Sequence, residues 1–366
     1  MTIDNFENLI NFNDKELIEV LNCEGEQQKK LWNYSSRVKN DVFGNGVFAR
    51  GLIEFSNICR KNCLYCGIRS GNSKVIRYRL SIEDIMSCVD FVVDSKIQSI
   101  VLQSGELTTD DFKDYLRNVI KTIKNKYNFL NITLSSGEFD FDFYKELREL
   151  GVNRYLLRIE TSSEELYKKL HPSDHSHAKR LQCLQDLNDA DYQVGTGNMI
   201  GVPHQTDEDI VKDLRFFLDD KFDMFGLGPY IIHTDTPLAT IENIDNWNKN
   251  KFKILNKTLN FLCMLRICKP TANIAAATAL DVISGDGRMT ALKIASNVAM
   301  PAITPKSNRH NYQLYQNKPN IDNDGDETLK LFAKNIENNG LHIVYSNKDS
   351  SPHYINKIKG RRNGTI

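Results

Sequence analysis

Eight short apolar runs alternate with helix-spaced segments along most of this 366-residue chain. The runs are residues 47–56, 99–105, 132–137, 154–161, 193–202, 224–231, 273–280 and 297–303, rich in Val, Ile, Leu and Phe. Between them the apolar period changes from strand-like to helical. Ile82, Ile85, Met86, Val89, Val92 and Val93 share one helix face, as do Ile210, Val211, Leu214, Phe217 and Leu218. Both segments open on a capping pattern, Ser81-x-x-Asp84 and Thr206-x-x-Asp209. Strand and helix repeated eight times predict an α/β fold, a parallel (β/α)8 TIM-type barrel. A doubly wound open sheet is the alternative, and the lack of an obvious break favours the barrel. Residues 1–40 are expected to form a helical cap over one barrel end. Residues 41–325 form the barrel. Residues 326–366 form an extension with a helix at 327–338, a short strand at 342–345 and a ragged tail, packed on the barrel or trailing from it.

Three cysteines follow the first run at once: Cys59, Cys63 and Cys66, spaced C-x3-C-x2-C. Barrel enzymes place their chemistry at the C-terminal ends of the strands, so these thiols are expected at the catalytic mouth. A structural zinc site needs four protein ligands. No His precedes His171 and no Cys lies between Cys66 and Cys88, so a fourth ligand has to come from a distant element. A disulfide reading fails on the odd count. Three thiolates suit a 4Fe–4S cluster with one iron open to another ligand. The other five cysteines, Cys23, Cys88, Cys183, Cys263 and Cys268, sit in helix-like surroundings and read as small buried hydrophobes.

Forty-seven basic residues balance 47 acidic ones, so no global field draws nucleic acid or an anionic membrane. The basic run Lys357, Lys359, Arg361 and Arg362 reads as a solvated tail. The acidic, amphipathic N-terminus has no signal-peptide pattern, and no stretch of 18 apolar residues occurs. Together with the cysteine usage this predicts a reducing cytoplasm.

The cysteine motif, with Tyr65 before its last member, resembles the signature of radical S-adenosylmethionine enzymes. Arg50-Gly-Leu-Ile-Glu-Phe-Ser56, Arg77-Tyr-Arg-Leu80, Val101-Leu-Gln-Ser-Gly-Glu106, Arg154-Tyr-Leu-Leu-Arg158, Gly226-Leu-Gly-Pro229, His233-Thr-Asp-Thr-Pro-Leu238 and Tyr312-Gln-Leu-Tyr315 resemble the HydE-type FeFe-hydrogenase maturases. The likeness runs from about residue 41 to 315; biotin synthase and methylornithine synthase match these segments less well.

The resemblance implies a 4Fe–4S cluster on Cys59, Cys63 and Cys66, with S-adenosylmethionine on the open iron and no second cluster. An electron from a donor such as ferredoxin or flavodoxin then yields a 5′-deoxyadenosyl radical. It implies cofactor contacts at Tyr65, Gln103, Ser104, Gly105, Glu106, Ser135, Glu160, Arg180 and Met199. Among these, Glu106 and the carbonyls beside Gly105 suit an ammonium, Glu160 ribose hydroxyls and Arg180 a carboxylate. It implies a substrate cavity at Arg158, Thr278, Met224 and Tyr312, with Met300 nearby. Each has a plainer reading: helix N-terminal charge for Glu106 and Glu160, surface for Arg180, barrel packing for the glycines, core for the cavity positions. His233 is a loop cap or a proton carrier. The implied substrate is a cysteine-derived iron carbonyl/cyanide precursor of the hydrogenase diiron site, with the other maturases as partners. The rivals are a paralogue acting on a small amino-acid or sulfur-containing substrate and a non-catalytic iron–sulfur scaffold.

The chain departs from many family members at Ile159, where they carry His, at Ala277, where they carry Thr, and at His204, where they carry Gly. Departures near the cavity are expected to alter the substrate. No Cys follows Cys268, so the peripheral cluster of some members is expected to be absent.

Overall fold

The apolar runs fold into strands lying side by side around a ring. This computed structural model describes residues 5–241, 243–319, 321–346 and 349–362. Its strands are β1 (Gly46–Ala49), β2 (Gly51–Ser56), β3 (Ser99–Ser104), β4 (Asn131–Ser135), β5 (Val152–Leu156), β6 (Gln193–Thr196), β7 (Met199–Ile200), β8 (Phe222–Phe225), β9 (Gly228–Pro229), β10 (Asn273–Ile274), β11 (Val298–Ala299) and β12 (His342–Ile343). Seven form one parallel sheet in the order β10-β8-β6-β5-β4-β3-β2. The eighth run joins its two edges. Ala276 N–H donates to Val298 O at 2.9 Å, and Ile303 N–H donates to Leu52 O at 2.7 Å. The closed ring excludes the open sheet.

Several runs leave the ladder earlier than their apolar pattern suggests. The first divides at Arg50: β1 pairs with β11 and β12, whereas β2 joins the main sheet. The fourth ends at Leu156, and four residues on Glu160 takes a left-handed backbone with φ of 65°. The seventh stops at Ile274, and the helix Ala279–Ile283 begins in its alanine-rich tail. Both expected caps form as reciprocal capping boxes, at Ser81 with Asp84 and Thr206 with Asp209.

The N-terminal helices Asp14–Leu21 and Gly25–Phe43 lie along the outer helices, not across a barrel end. Ser35 Oγ donates to Ile294 O at 2.7 Å, Lys39 Nζ to Leu292 O at 2.9 Å, and Trp32 Nε1 to Asn260 Oδ1 at 2.9 Å. The barrel floor is sealed from the other terminus. Asp349, 2% exposed, accepts from Arg50 Nε at 2.9 Å and Asn131 Nδ2 at 3.1 Å, and is ion-paired to Arg154. Its carbonyl accepts from Asn273 Nδ2 at 2.8 Å.

The ragged tail is instead a helix, Pro352–Arg362, and in its basic run Lys359 and Arg361 are exposed whereas Lys357 is not. Lys357 is buried with Nζ 2.7 Å from Asp223 Oδ2, and Arg361 pairs with Asp191 at 2.6 Å; the side chain of Arg362 lies outside the described residues. Of the five remaining cysteines, Cys88, Cys183 and Cys263 are buried, whereas Cys23 and Cys268 keep some exposure. Among the described residues no helix is long and apolar enough to cross a membrane.

Candidate active site

The loop that follows β2 is shaped by one guanidinium. Arg77 donates to Asn57 O, Ile68 O and Arg69 O, each at 2.7 Å, and to Asn72 O at 3.2 Å. Asn57 ties the same loop to Ile76 O and Asn311 O. Four carbonyls gathered on one cation curl the chain, so Cys59, Cys63 and Cys66 face one cavity at the C-terminal end of the barrel. Glu106 N–H donates to Cys59 Sγ at 3.3 Å. Burial pushes all three thiols up, Cys63 to about 12, and repulsion within the trio adds to this at Cys63 and Cys66. Thiols so placed stay protonated until a cation draws off the protons.

His171 and His175 come close to Cys63, their ligand atoms and its sulfur lying within 4.8 Å of one another. That revives a single-ion site, but the hydrogen bonds oppose it. Asn62 N–H donates to His175 Nε2 at 3.4 Å, which leaves the proton on Nδ1, the atom facing Cys63 Sγ at 3.9 Å. His171 is engaged at both nitrogens, by Tyr65 OH at 3.1 Å and Tyr167 O at 2.9 Å. In that tautomer His175 presents Cys63 with a donor.

The cavity, about 420 Å³, brings together most of the residues expected from sequence. Cys59, Cys63, Tyr65, Cys66, Gln103, Ser104, Gly105, Glu106, Ser135, Glu160, Arg180 and Met199 line it, as do Arg158, Thr278, Met300 and Tyr312. Met224 is not among its lining. It sits in a cavity of about 20 Å³ within the barrel, room for one water, where Arg50 Nη1 donates to its Sδ at 3.5 Å. His233 caps its loop: its Nδ1 accepts from Asp235 N–H at 3.2 Å. Ile159 points away into the hydrophobic core, so this departure does not face substrate. His204 has φ of 69°, a conformation that glycine adopts without cost, so the family's Gly there serves the turn. Of the three departures only Ala277 lines the cavity.

Charge is dense around the cysteine loop. Arg180 is buried, not a surface arginine. Its Nε donates to Glu138 Oε1 at 2.6 Å, and it also reaches Arg158 O. Lys61 Nζ lies 2.9 Å from Glu138 Oε2 and 3.5 Å from Glu106 Oε1. Arg60 pairs with Glu106 at 2.6 Å. Burial alone would raise the Glu138 carboxyl, but Arg180 and Lys61 outweigh it and hold it down to about 2. Glu106 goes the other way: burial and the neighbouring Glu138 raise it. Gly105 lets the cysteine loop approach, because a Cβ there would meet Ile58 O at 2.4 Å. Among the described residues Glu106 Oε1, Arg158 Nε, Glu160 Oε2 and Arg288 Nε are buried without completing a hydrogen bond.

Several site residues escaped the sequence reading: Lys61, Arg77, Glu138, and the pairs Lys318–Glu54 and Arg288–Asp281. Glu138 had a usable signal. Ser136-Gly137-Glu138 repeats Ser104-Gly105-Glu106 at the end of the next strand. Thr278 Oγ1 and Tyr315 OH, 2.6 Å apart, close the far wall.

Comparison with known proteins agrees with this geometry. The Radical SAM superfamily profile matches residues 53–217. The chain is 41% identical over 290 residues to the [FeFe] hydrogenase maturase subunit HydE of Thermotoga maritima, covering 79% of each chain. It is 28% identical over 336 residues to 3-methylornithine synthase of Methanosarcina acetivorans, covering 90% of this chain and 89% of that one. The crystal structure of methylornithine synthase (PylB) superposes with a TM-score of 0.78 at 23% identity, over 94% of this chain and 98% of that one, which speaks for the fold. With the cysteine loop at the mouth of a parallel barrel and this degree of identity, the chain belongs to the radical S-adenosylmethionine superfamily and, within it, to the HydE-type enzymes.

Proposed function

We propose that Cys59, Cys63 and Cys66 hold a 4Fe–4S cluster whose fourth iron is left for S-adenosylmethionine. The observation that carries this reading is the set of buried charges left incomplete in the cavity the cysteines line: Glu106 Oε1, Arg158 Nε and Glu160 Oε2. Arg60 pairs with Glu106 Oε1 and Arg158 with Glu160 Oε2, but neither pair completes a hydrogen bond at those atoms, and a zwitterionic ligand with ribose hydroxyls would complete them. When bound, the cluster would supply one electron to the sulfonium, and cleavage of a carbon–sulfur bond would give methionine and a 5′-deoxyadenosyl radical.

The chain's residues bind and orient. Arg180 takes the methionine carboxylate, held in place by Glu138. Glu106 takes the ammonium. Glu160 accepts from ribose hydroxyls. Tyr65, Gln103, Ser104, Gly105, Ser135 and Met199 pack around the cofactor. Arg158 anchors a carboxylate of the substrate, with Thr278 and Tyr312 shaping the remaining space and Met224 supporting it from within the barrel. The barrel wall keeps water from the reacting atoms. Residues 41–325 form the catalytic unit, with 1–40 and 326–366 as supporting flanks. The enzyme works in the cytoplasm without a second cluster and takes its electron from a small carrier protein.

The substrate is a cysteine-derived iron carbonyl/cyanide precursor of the hydrogenase diiron site, supplied and received by other maturases. The second reading, a paralogue acting on an amino acid, draws on the 3-methylornithine synthase match, which spans more of the chain. Two experiments test the proposal. Anaerobically reconstituted protein with dithionite and S-adenosylmethionine is expected to release 5′-deoxyadenosine; none from an intact cluster would leave only the scaffold reading. Expression in a strain lacking its own HydE-type enzyme is expected to restore hydrogenase activity. Failure there, with cofactor cleavage intact, would favour the paralogue.

A further inference from the structure

A carboxylate outside the cavity has no part in the chemistry above, yet it is fully buried. Asp213 lies on the helix Asp207–Phe217 behind the barrel and is 0% exposed. Its Oδ1 accepts from Ser162 N–H at 2.5 Å and Ser162 Oγ at 2.7 Å; its Oδ2 accepts from Asn198 Nδ2 at 2.8 Å. Ser162 and Asn198 belong to different loops, one after β5 and one between β6 and β7. Burial pushes the Asp213 carboxyl up to about 6 against these hydrogen bonds. An apolar side chain would fill the space without that cost, so the charge is explained by what it holds.

What it holds is strained. Glu160 sits between the loops with φ of 65°. A non-glycine residue in that conformation is strained and persists only where its surroundings over-determine it. Glu160 N–H donates to Gly197 O at 3.0 Å, and Met199 N–H donates to Glu160 O at 3.4 Å. These bonds tie Glu160 to the segment centred on Asn198. Asn198 O in turn accepts from Arg158 Nη2 at 2.5 Å, and Arg158 Nη2 lies 3.1 Å from Glu160 Oε2.

We infer that Asp213 is a positioning residue that clamps the loops after β5 and β6 together and so aims the Glu160 carboxylate into the cofactor cavity. The inference rests on the reading of Glu160 as a cofactor contact. Asp213→Asn replaces one acceptor with a donor that must face Ser162 or Asn198, both donors themselves, and so opens the clamp.

The test uses reconstituted enzyme and equilibrium dialysis with labelled S-adenosylmethionine. Asp213→Asn is expected to weaken binding about tenfold, and to add little once Glu160→Gln is present. Amide exchange at Ser162 and Met199 is expected to rise in Asp213→Asn without cofactor, which reads the clamp independently of Glu160's role. Asp223→Asn, which disturbs a buried carboxylate contacted by His353 and Lys357 at the floor, is the control and is expected to leave cofactor affinity unchanged. Wild-type affinity and exchange in Asp213→Asn, or an undiminished tenfold loss on top of Glu160→Gln, would overturn the inference. Wild-type affinity in Glu160→Gln alone would instead defeat the reading of Glu160, and the exchange rates would still decide the clamp. If Asp213→Asn does not fold, Asn198→Ala removes one arm of the clamp and is expected to give a smaller effect of the same pattern.

Discussion

The two ends of the barrel solve one problem in opposite ways. Each buries a carboxylate between two cations: Asp349 between Arg50 and Arg154 at the floor, Glu138 between Arg180 and Lys61 at the mouth. Against burial, the cations hold both carboxyls below their usual range. At the floor both oxygens of the Asp349 carboxylate are engaged, with Asn131 reaching Oδ1 and Asn273 the backbone carbonyl, and Gln193 Nε2 beside Arg154 is the atom left over. At the mouth more is left open: Glu106 and Glu160, although ion-paired to Arg60 and Arg158, and Arg158 itself keep atoms without hydrogen-bond partners, all facing one cavity. A closed network fixes a structure, whereas an open one is pre-arranged for a ligand. The C-terminal extension thus serves stability and the cysteine end serves chemistry.

This contrast is easiest to break at the cysteines. Cys63→Ala is expected to abolish 5′-deoxyadenosine formation while leaving the unfolding midpoint of the cluster-free protein nearly unchanged, because Cys63 lines the cavity and does not pack in the core. Retained turnover would remove Cys63 from the ligand set. Asp349→Ala should show the reverse. It strands two buried arginines and is expected to cost about 3–5 kcal/mol in urea unfolding. The protein that remains folded should bind S-adenosylmethionine with wild-type affinity, and weakened binding would mean that the two ends are coupled.

Glu138→Gln belongs to both ends of the comparison. It is expected to weaken cofactor binding through Arg180 and to lower stability by about 1–3 kcal/mol. Because the native carboxyl is held down to about 2, its contribution is fully present above the unfolded value near 4.5. It is lost as pH falls toward 2, so acid unfolding curves of wild type and Glu138→Gln should converge there. A gap that persists at pH 2 would place the effect elsewhere. The smallest effect is expected at His204, where Gly relieves the left-handed backbone. His204→Gly is expected to gain up to about 1 kcal/mol with no change in activity. A change in substrate use would return that departure to the cavity.

Much of this was legible in the chain, for reasons that separate the two ends. The alternation of runs and capped helices follows from local spacing, so the barrel and the place of the cysteines could be read directly. Most of the expected cofactor contacts follow strand ends, where sequence position predicts spatial position, with Arg180 on the helix His177–Asp189 and Tyr65 in the cysteine loop, and all nine line one cavity. What escaped was long-range. Asp349 meets Arg50 across 299 residues, and nothing in a polar segment such as Ser346 to Ser351 announces a barrel plug. Lys357 read as a solvated charge because Asp223, its partner, lies 134 residues away. Ile159 follows Arg158 in the chain, but the backbone turns there and its side chain faces the core, so neighbours in sequence face different ways. Glu138 was missed although its Ser-Gly-Glu context repeats that of Glu106.

The central claim, that the mouth carries a cluster with one iron reserved for S-adenosylmethionine, is tested most directly by electron paramagnetic resonance. Reconstituted protein is reduced with dithionite, and spectra are recorded without and with the cofactor. The account predicts a 4Fe–4S signal that changes shape when S-adenosylmethionine is added. A reduced-cluster signal indifferent to saturating S-adenosylmethionine would contradict it.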